Sequence, residues 1–157
     1  MAVVAPLFLD TTVLLAGILD MGEPSVSSSL ILDAVKAGRF PHATTAWHCC
    51  LEFYAVATRL PGGLRLTPAL ASQLVREEIL GRVDVADLPA NARGALLSAV
   101  VSESVSGGRV YDAHIAEVAR VAGARMVVTG NRRHFTGLMR HGIRVLTPEE
   151  CVEEHRL

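Results

Sequence analysis

The sequence is short of cysteine, and the cysteines it has do not form an even set. Cys49, Cys50 and Cys151 are the only three. Neighbouring cysteines on a helix point in different directions, and an odd count leaves no disulfide framework. A reducing, cytoplasmic setting is expected. Aromatic residues are scarce at 4%, so Leu, Val and Ala must fill most of a core. Surplus basic charge is missing too, with a formal net charge of −1. A strongly basic chain would announce a polyanion partner and this one does not, so charge neither supports nor excludes a nuclease. Any nucleic-acid partner has to be held by local arginines or bound cations. No stretch approaches the ~18 unbroken apolar residues of a membrane helix. The opening MAVVAPLFLD lacks a basic lead and a long apolar run, so no secretory leader is expected. Three catalytic signatures are absent as well: the G-x-x-x-x-G-K-[ST] phosphate loop, G-x-G-x-x-G after the first strand and the G-x-S-x-G elbow.

What is present suits a single domain over 1–157. Half the residues are hydrophobic and 20% are charged, enough to build a core and too apolar for disorder. Leu7 to Leu9 reads as a strand ending at Asp10. A helix follows, with Val13, Leu14, Leu15, Ile18 and Leu19 on its apolar face. Ser25 is placed to cap a helix from Val26 to Ala37, with Ser27 to Ser29 exposed. Arg39 to Thr44 reads as a strand. Thr45 then caps a helix from Ala46 to Leu60, on which Trp47, Leu51, Tyr54 and Thr58 keep the 3.6 period and Glu52 lies off the stripe. Thr67-Pro68 opens a helix to Leu80. Val83 to Val85 is a small strand, and Pro89 to Ser104 is helical. After Gly107-Gly108 a helix begins at Asp112 and stops at Gly123. Met126 to Val128 is a strand, Phe135 to Arg140 a short helix and Ile143 to Leu146 a last strand. Thr147-Pro148-Glu149-Glu150 is a capping box that starts the final helix. Strands separated by helices imply a three-layer α/β sandwich with a central parallel five-stranded sheet.

In such a sheet all strand carboxyl ends share one edge. Asp10, Glu52, Asp112 and Asn131 can therefore converge, although they are distant in sequence. Three carboxylates together repel one another and are stable mainly when a cation compensates them. Oxygen-only ligands favour a hard ion, Mg²⁺ or Mn²⁺. An ion so held keeps positions open for water and phosphate oxygens, the chemistry of phosphodiester hydrolysis. Read singly, each acid has a plainer role: Asp10 and Asp112 as helix caps, Glu52 as a solvated helix residue. Arg132 and Arg133 suit phosphate contact or a solvated turn equally well. His48-Cys49-Cys50 reads as core packing, since three consecutive helix positions cannot face one ion.

Taken together, FLDTTVLL, LEFYAVATRL, GRVYDAHIAEVARVAGARMVVTGNRRHF and IRVLTPEE resemble the PIN-domain ribonucleases, and within them the VapC-type toxins of toxin–antitoxin pairs. The resemblance covers nearly the whole chain, and the third segment is its most specific part. It implies that Asp10, Glu52 and Asp112 stand at the three acidic ligand positions. Asn131 stands where the family has Asp or Asn, and Thr129 is the hydroxyl residue two places before it. An amide oxygen at 131 brings no charge, so one firm metal and one weak one are expected. The resemblance further implies an endoribonuclease leaving 5′-phosphate and 3′-hydroxyl ends, a homodimer and a VapB-like antitoxin reaching the active groove. Thr129, Arg132 and Arg133 are candidate RNA contacts, and the first two helices, Val13 to Ala37, are the candidate partner surface. Two other readings are a PIN nuclease of RNA processing without a toxin role and a binding module that has lost turnover.

Overall fold

The structure is a computed structural model and describes residues 5–157. Residues 1–4, where the expected lack of a leader begins, lie outside the described residues. Five strands occur among the described residues: β1 (Leu7–Leu9), β2 (Ala43–Ala46), β3 (Asp84–Ala86), β4 (Met126–Val128) and β5 (Arg144–Leu146). They form one sheet in the order β3-β2-β1-β4-β5, and every pairing is parallel. All three residues of β1 and of β4 are buried. Since successive side chains point to opposite faces, both faces of the sheet centre are covered. The helices are α1 (Thr11–Ile18), α2 (Glu23–Lys36), α3 (Trp47–Ala57), α4 (Pro68–Leu74), α5 (Arg93–Ser102), α6 (Arg109–Val121) and α7 (Pro148–His155). The expected α/β sandwich is what forms. No helix among the described residues is long and apolar enough to cross a membrane.

Phe8, Phe53, Phe135, Ile31, Ile79 and Ile115 are among the fully buried side chains of one continuous core. The connection after β1 runs to β2, and β4 lies on the other side of β1. The strand order therefore reverses beside β1, and a crevice opens at the carboxyl ends of β1 and β4. Leu9 pairs with Val128 there, so Asp10 and Thr129 leave the sheet side by side.

Several local expectations shift. The Thr67 and Thr147 caps form as expected, the latter with both reciprocal bonds of the capping box. Ser25 does not cap α2, whose N-cap is Gly22. Its buried hydroxyl donates to the Leu19 carbonyl and accepts from the Met21 amide, tying the corner between α1 and α2. Ser28 is buried, not exposed. Thr45 lies inside β2 and donates across to the Leu9 carbonyl at 2.7 Å. The second strand is Ala43–Ala46 rather than 39–44. Phe40 is buried there, but its backbone is in a turn. On α3 the Trp47-Leu51-Tyr54 stripe faces water, and Cys49, Cys50, Phe53 and Ala57 face the core. The segment after α4 continues as a π turn, Val75–Leu80. A 3-10 turn, Ala90–Ala92, precedes α5, and another, Thr136–His141, replaces the short helix before β5. α6 starts at Arg109, one turn before Asp112.

Candidate active site

Asp10 occupies the N-cap position of α1, yet its carboxylate makes no capping bond to the helix. It turns to the neighbouring strand end. Its Oδ2 accepts hydrogen bonds from the hydroxyls of Thr129 at 2.8 Å and Thr12 at 3.0 Å. Those hydroxyls are held in turn: Thr129 Oγ1 accepts from the Asn131 amide at 2.9 Å, and Thr12 Oγ1 accepts from the Gly130 amide at 2.8 Å. A Cβ at Gly130 would stand 3.3 Å from Thr12 Oγ1, so the turn approaches α1 as closely as a glycine allows. The Thr129–Asn131 turn is thus laced to Asp10. Only 3% of Asp10 is exposed. Burial raises its pKa above the usual carboxylate range, the Thr129 hydroxyl pulls it back, and the charge of Asp112 raises it further.

Glu52 is half-buried on α3, with His48 Nε2 3.4 Å from its Oε2. Burial raises its pKa, and the charges of Asp10 and Asp112 add to that. Asp112 sits in the first turn of α6. His134 Nδ1 lies 2.8 Å from its Oδ2, near enough to attract but not aligned as a hydrogen bond. The charge of Asp112 reaches Asp10, and the charges of Asp10 and Asp112 both reach Glu52. No Lys or Arg forms an ion pair with any of them among the described residues. Nor are three His, Cys, Asp or Glu side chains gathered closely enough to hold an ion as they stand. Each acid has its own protein partner instead, the arrangement expected of like charges that repel.

Asn131 is exposed at the mouth of this crevice, just ahead of the 3-10 turn Arg132–His134. Thr129 is fully buried and serves Asp10, so it is a support and not a free RNA contact. Arg132 is tied to Glu150 at the start of α7 at 2.6 Å. Arg133 is exposed and has no carboxylate partner among the described residues.

One neighbour of the site was misread in the sequence. His48 is not core packing. It faces Glu52, stacks on Tyr111 with ring centroids 5.2 Å apart, and meets His114 edge-on at 5.4 Å. Burial and the nearby His114 lower its pKa, against the pull of Asp112. The spacing carried a signal for this, because residues four apart share a helix face. Cys49 and Cys50 do pack in the core, where burial pushes the Cys49 thiol up to about 12.

A family model described as "PIN domain" matches residues 6–133. Comparison with curated proteins returns no match. Among solved structures the fold is similar to FitAB bound to an IR36 DNA fragment, with a TM-score of 0.59 at 18% identity over 90% of this chain and 94% of that one. It is similar to Mycobacterium tuberculosis VapC20, described as a sarcin-ricin-loop-cleaving toxin, with a TM-score of 0.59 at 18% identity over 77% and 86%. FitAcB from Neisseria gonorrhoeae gives a TM-score of 0.58 at 18% identity over 91% and 98%. At that identity these likenesses speak for the fold.

Proposed function

The chain belongs to the PIN-domain family, and from that premise we propose that it is a metal-dependent endoribonuclease, the toxin of a type II toxin–antitoxin pair. The observation that carries the reading is the buried Asp10, held by Thr129 and Thr12 within electrostatic reach of Glu52 and Asp112. A structural carboxylate at a helix start would cap its helix or meet a cation, and Asp10 does neither. The similarity to a solved toxin supports the biological role.

The donor set fits a hard divalent ion. It is all oxygen and carries three carboxylates, and among the described residues only Arg59, acting on Glu52 from beyond ion-pair distance, opposes their charge. Asp10, Glu52 and Asp112 would hold Mg²⁺ or Mn²⁺, with Asn131 completing the shell directly or through water. Such an ion supplies a more acidic water and offsets negative charge on the phosphate. The chain supplies the rest. Thr129 and Thr12 both bond Oδ2 of Asp10, which fixes the carboxylate and leaves Oδ1 without a hydroxyl partner. His134 lies against Asp112 and His48 against Glu52, and each would yield its carboxylate when an ion binds. The Asn131 backbone amide donates to Thr129 Oγ1, which ties Asn131 to the residue that holds Asp10.

The partner assignments are part of the same proposal. A homodimer and a VapB-like antitoxin are expected, with the antitoxin on α1 and α2. Met21, Val26 and Leu30 are exposed there, and a largely apolar cavity of about 440 Å³ runs from Leu15 and Met21 to Pro148.

Purified protein with Mg²⁺ or Mn²⁺ should cleave single-stranded RNA. Asp10→Asn or Asp112→Asn should lower the rate at least ~100-fold with the fold intact by circular dichroism. Full activity of either variant, or of the wild type in excess EDTA, contradicts the mechanism. Growth arrest on expression, relieved by a co-expressed antitoxin, separates a toxin from a processing nuclease.

A further inference from the structure

Where the few aromatic residues lie is informative. The four phenylalanines are all buried, while Trp47, Tyr54 and Tyr111 are exposed on the two helices that carry Glu52 and Asp112. Tyr111 is the residue before Asp112 and is 54% exposed. One ring face lies on His48 with an interplanar angle of 19°. His48 is itself braced by His114 and Glu52. A ring supported on one side and wet on the other is a platform for a third flat ring.

A cleft of about 290 Å³ runs along the other flank of α6, lined by Arg109, Asp112, Arg133 and Arg140. Glu103 and Glu117 also line it, but arginines hold both: Arg140 pairs with Glu103 at 2.8 Å and Arg120 with Glu117 at 2.6 Å. Arg109 and Arg133 have no carboxylate partner among the described residues. A helix turns about 100° per residue. Tyr111 therefore lies about 100° to one side of Asp112, and Arg109, three residues back, about 60° to the other. The stacking ring and the free arginines flank the same acid.

We propose that single-stranded RNA crosses the first turn of α6, with one base stacked on Tyr111 and the backbone beyond the cleavage point held by Arg109 and Arg133. The arrangement takes any base, because every base has a flat face, and it requires an unpaired strand to free one. This rests on the endoribonuclease reading above.

The test measures binding of a short fluorescein-labelled single-stranded RNA by anisotropy in EDTA across a salt series, and steady-state cleavage in Mn²⁺. Tyr111→Ala should weaken binding about tenfold, raising KM with kcat kept and the salt slope unchanged. Tyr111→Phe keeps the ring and should match the wild type. Arg109→Gln and Arg133→Gln should each weaken binding and flatten the salt slope by about 0.7. Wild-type affinity in Tyr111→Ala, or unchanged slopes in both arginine variants, overturns the proposal. A fall in kcat alone in Tyr111→Ala also overturns it, by assigning the ring to positioning Asp112. Failure of the wild type to cleave any RNA in Mn²⁺ instead overturns the function beneath it.

Discussion

At the scale of the residue, Asp10 sets the energetics. A carboxylate with its proton affinity raised by burial is bound by protons more tightly in the folded protein than in the unfolded chain. Its contribution to stability is therefore best at or below the usual carboxylate pKa and declines as pH rises through the raised value. Glu52 acts in the same sense. In EDTA at neutral pH, Asp10→Asn should thus melt above the wild type. The advantage should vanish below pH 4. Differential scanning fluorimetry across pH measures both, and an equal or lower Tm for the variant at pH 7.5 would refute the burial argument. Thr129→Val removes a buried hydrogen bond to Asp10, worth about 1.5–3 kcal/mol when the acceptor is charged. That hydroxyl lowers the proton affinity of Asp10, so the pH at which activity reaches half its maximum should move up in the variant.

At the scale of the element, α1 packs on α2 at Gly17 more tightly than any other glycine approach among the described residues. A Cβ on Gly17 would come 2.5 Å from Leu32 Cδ1 and 2.9 Å from the Ser28 carbonyl oxygen. Leu32 can swing away, but backbone cannot. Gly17→Ala should cost about 1–3 kcal/mol, measured by urea denaturation, and a neutral result would mean that the two helices separate freely. Thr147→Ala should cost about 1 kcal/mol through loss of the α7 capping box. Such caps were legible in the sequence because a capping box is a purely local pattern. Ser25 and Thr45 were not, since their hydroxyls bond carbonyls six and thirty-six residues away. The buried face of α3 was misread for a related reason. Trp47, Leu51 and Tyr54 keep the helical period as well as Cys49, Phe53 and Ala57 do, and only the sheet beneath decides which side is covered.

At the scale of the molecule, parallel β-α alternation and one shared edge explain most of what was readable. The strand positions determine that Asp10 and Thr129 emerge together, while Glu52 in the middle of α3 and Asp112 at the start of α6 lie within reach of the charge on Asp10. The histidines around those acids were not readable in full, because pairing between α3 and α6 depends on how two helices lean together. The remaining charge imbalance belongs to the whole fold. A divalent ion that binds the folded state alone should raise its stability by about 2.7 kcal/mol at a hundred times its Kd, and Mg²⁺ or Mn²⁺ should lift Tm accordingly. Isothermal titration of Mn²⁺ into the wild type, Asp10→Asn and Asp112→Asn reads the proposed shared site directly. Saturable binding by the wild type, at least tenfold weaker in both variants while circular dichroism is unchanged, is the predicted result. Equal Mn²⁺ affinity in all three proteins, or none in the wild type, would contradict it.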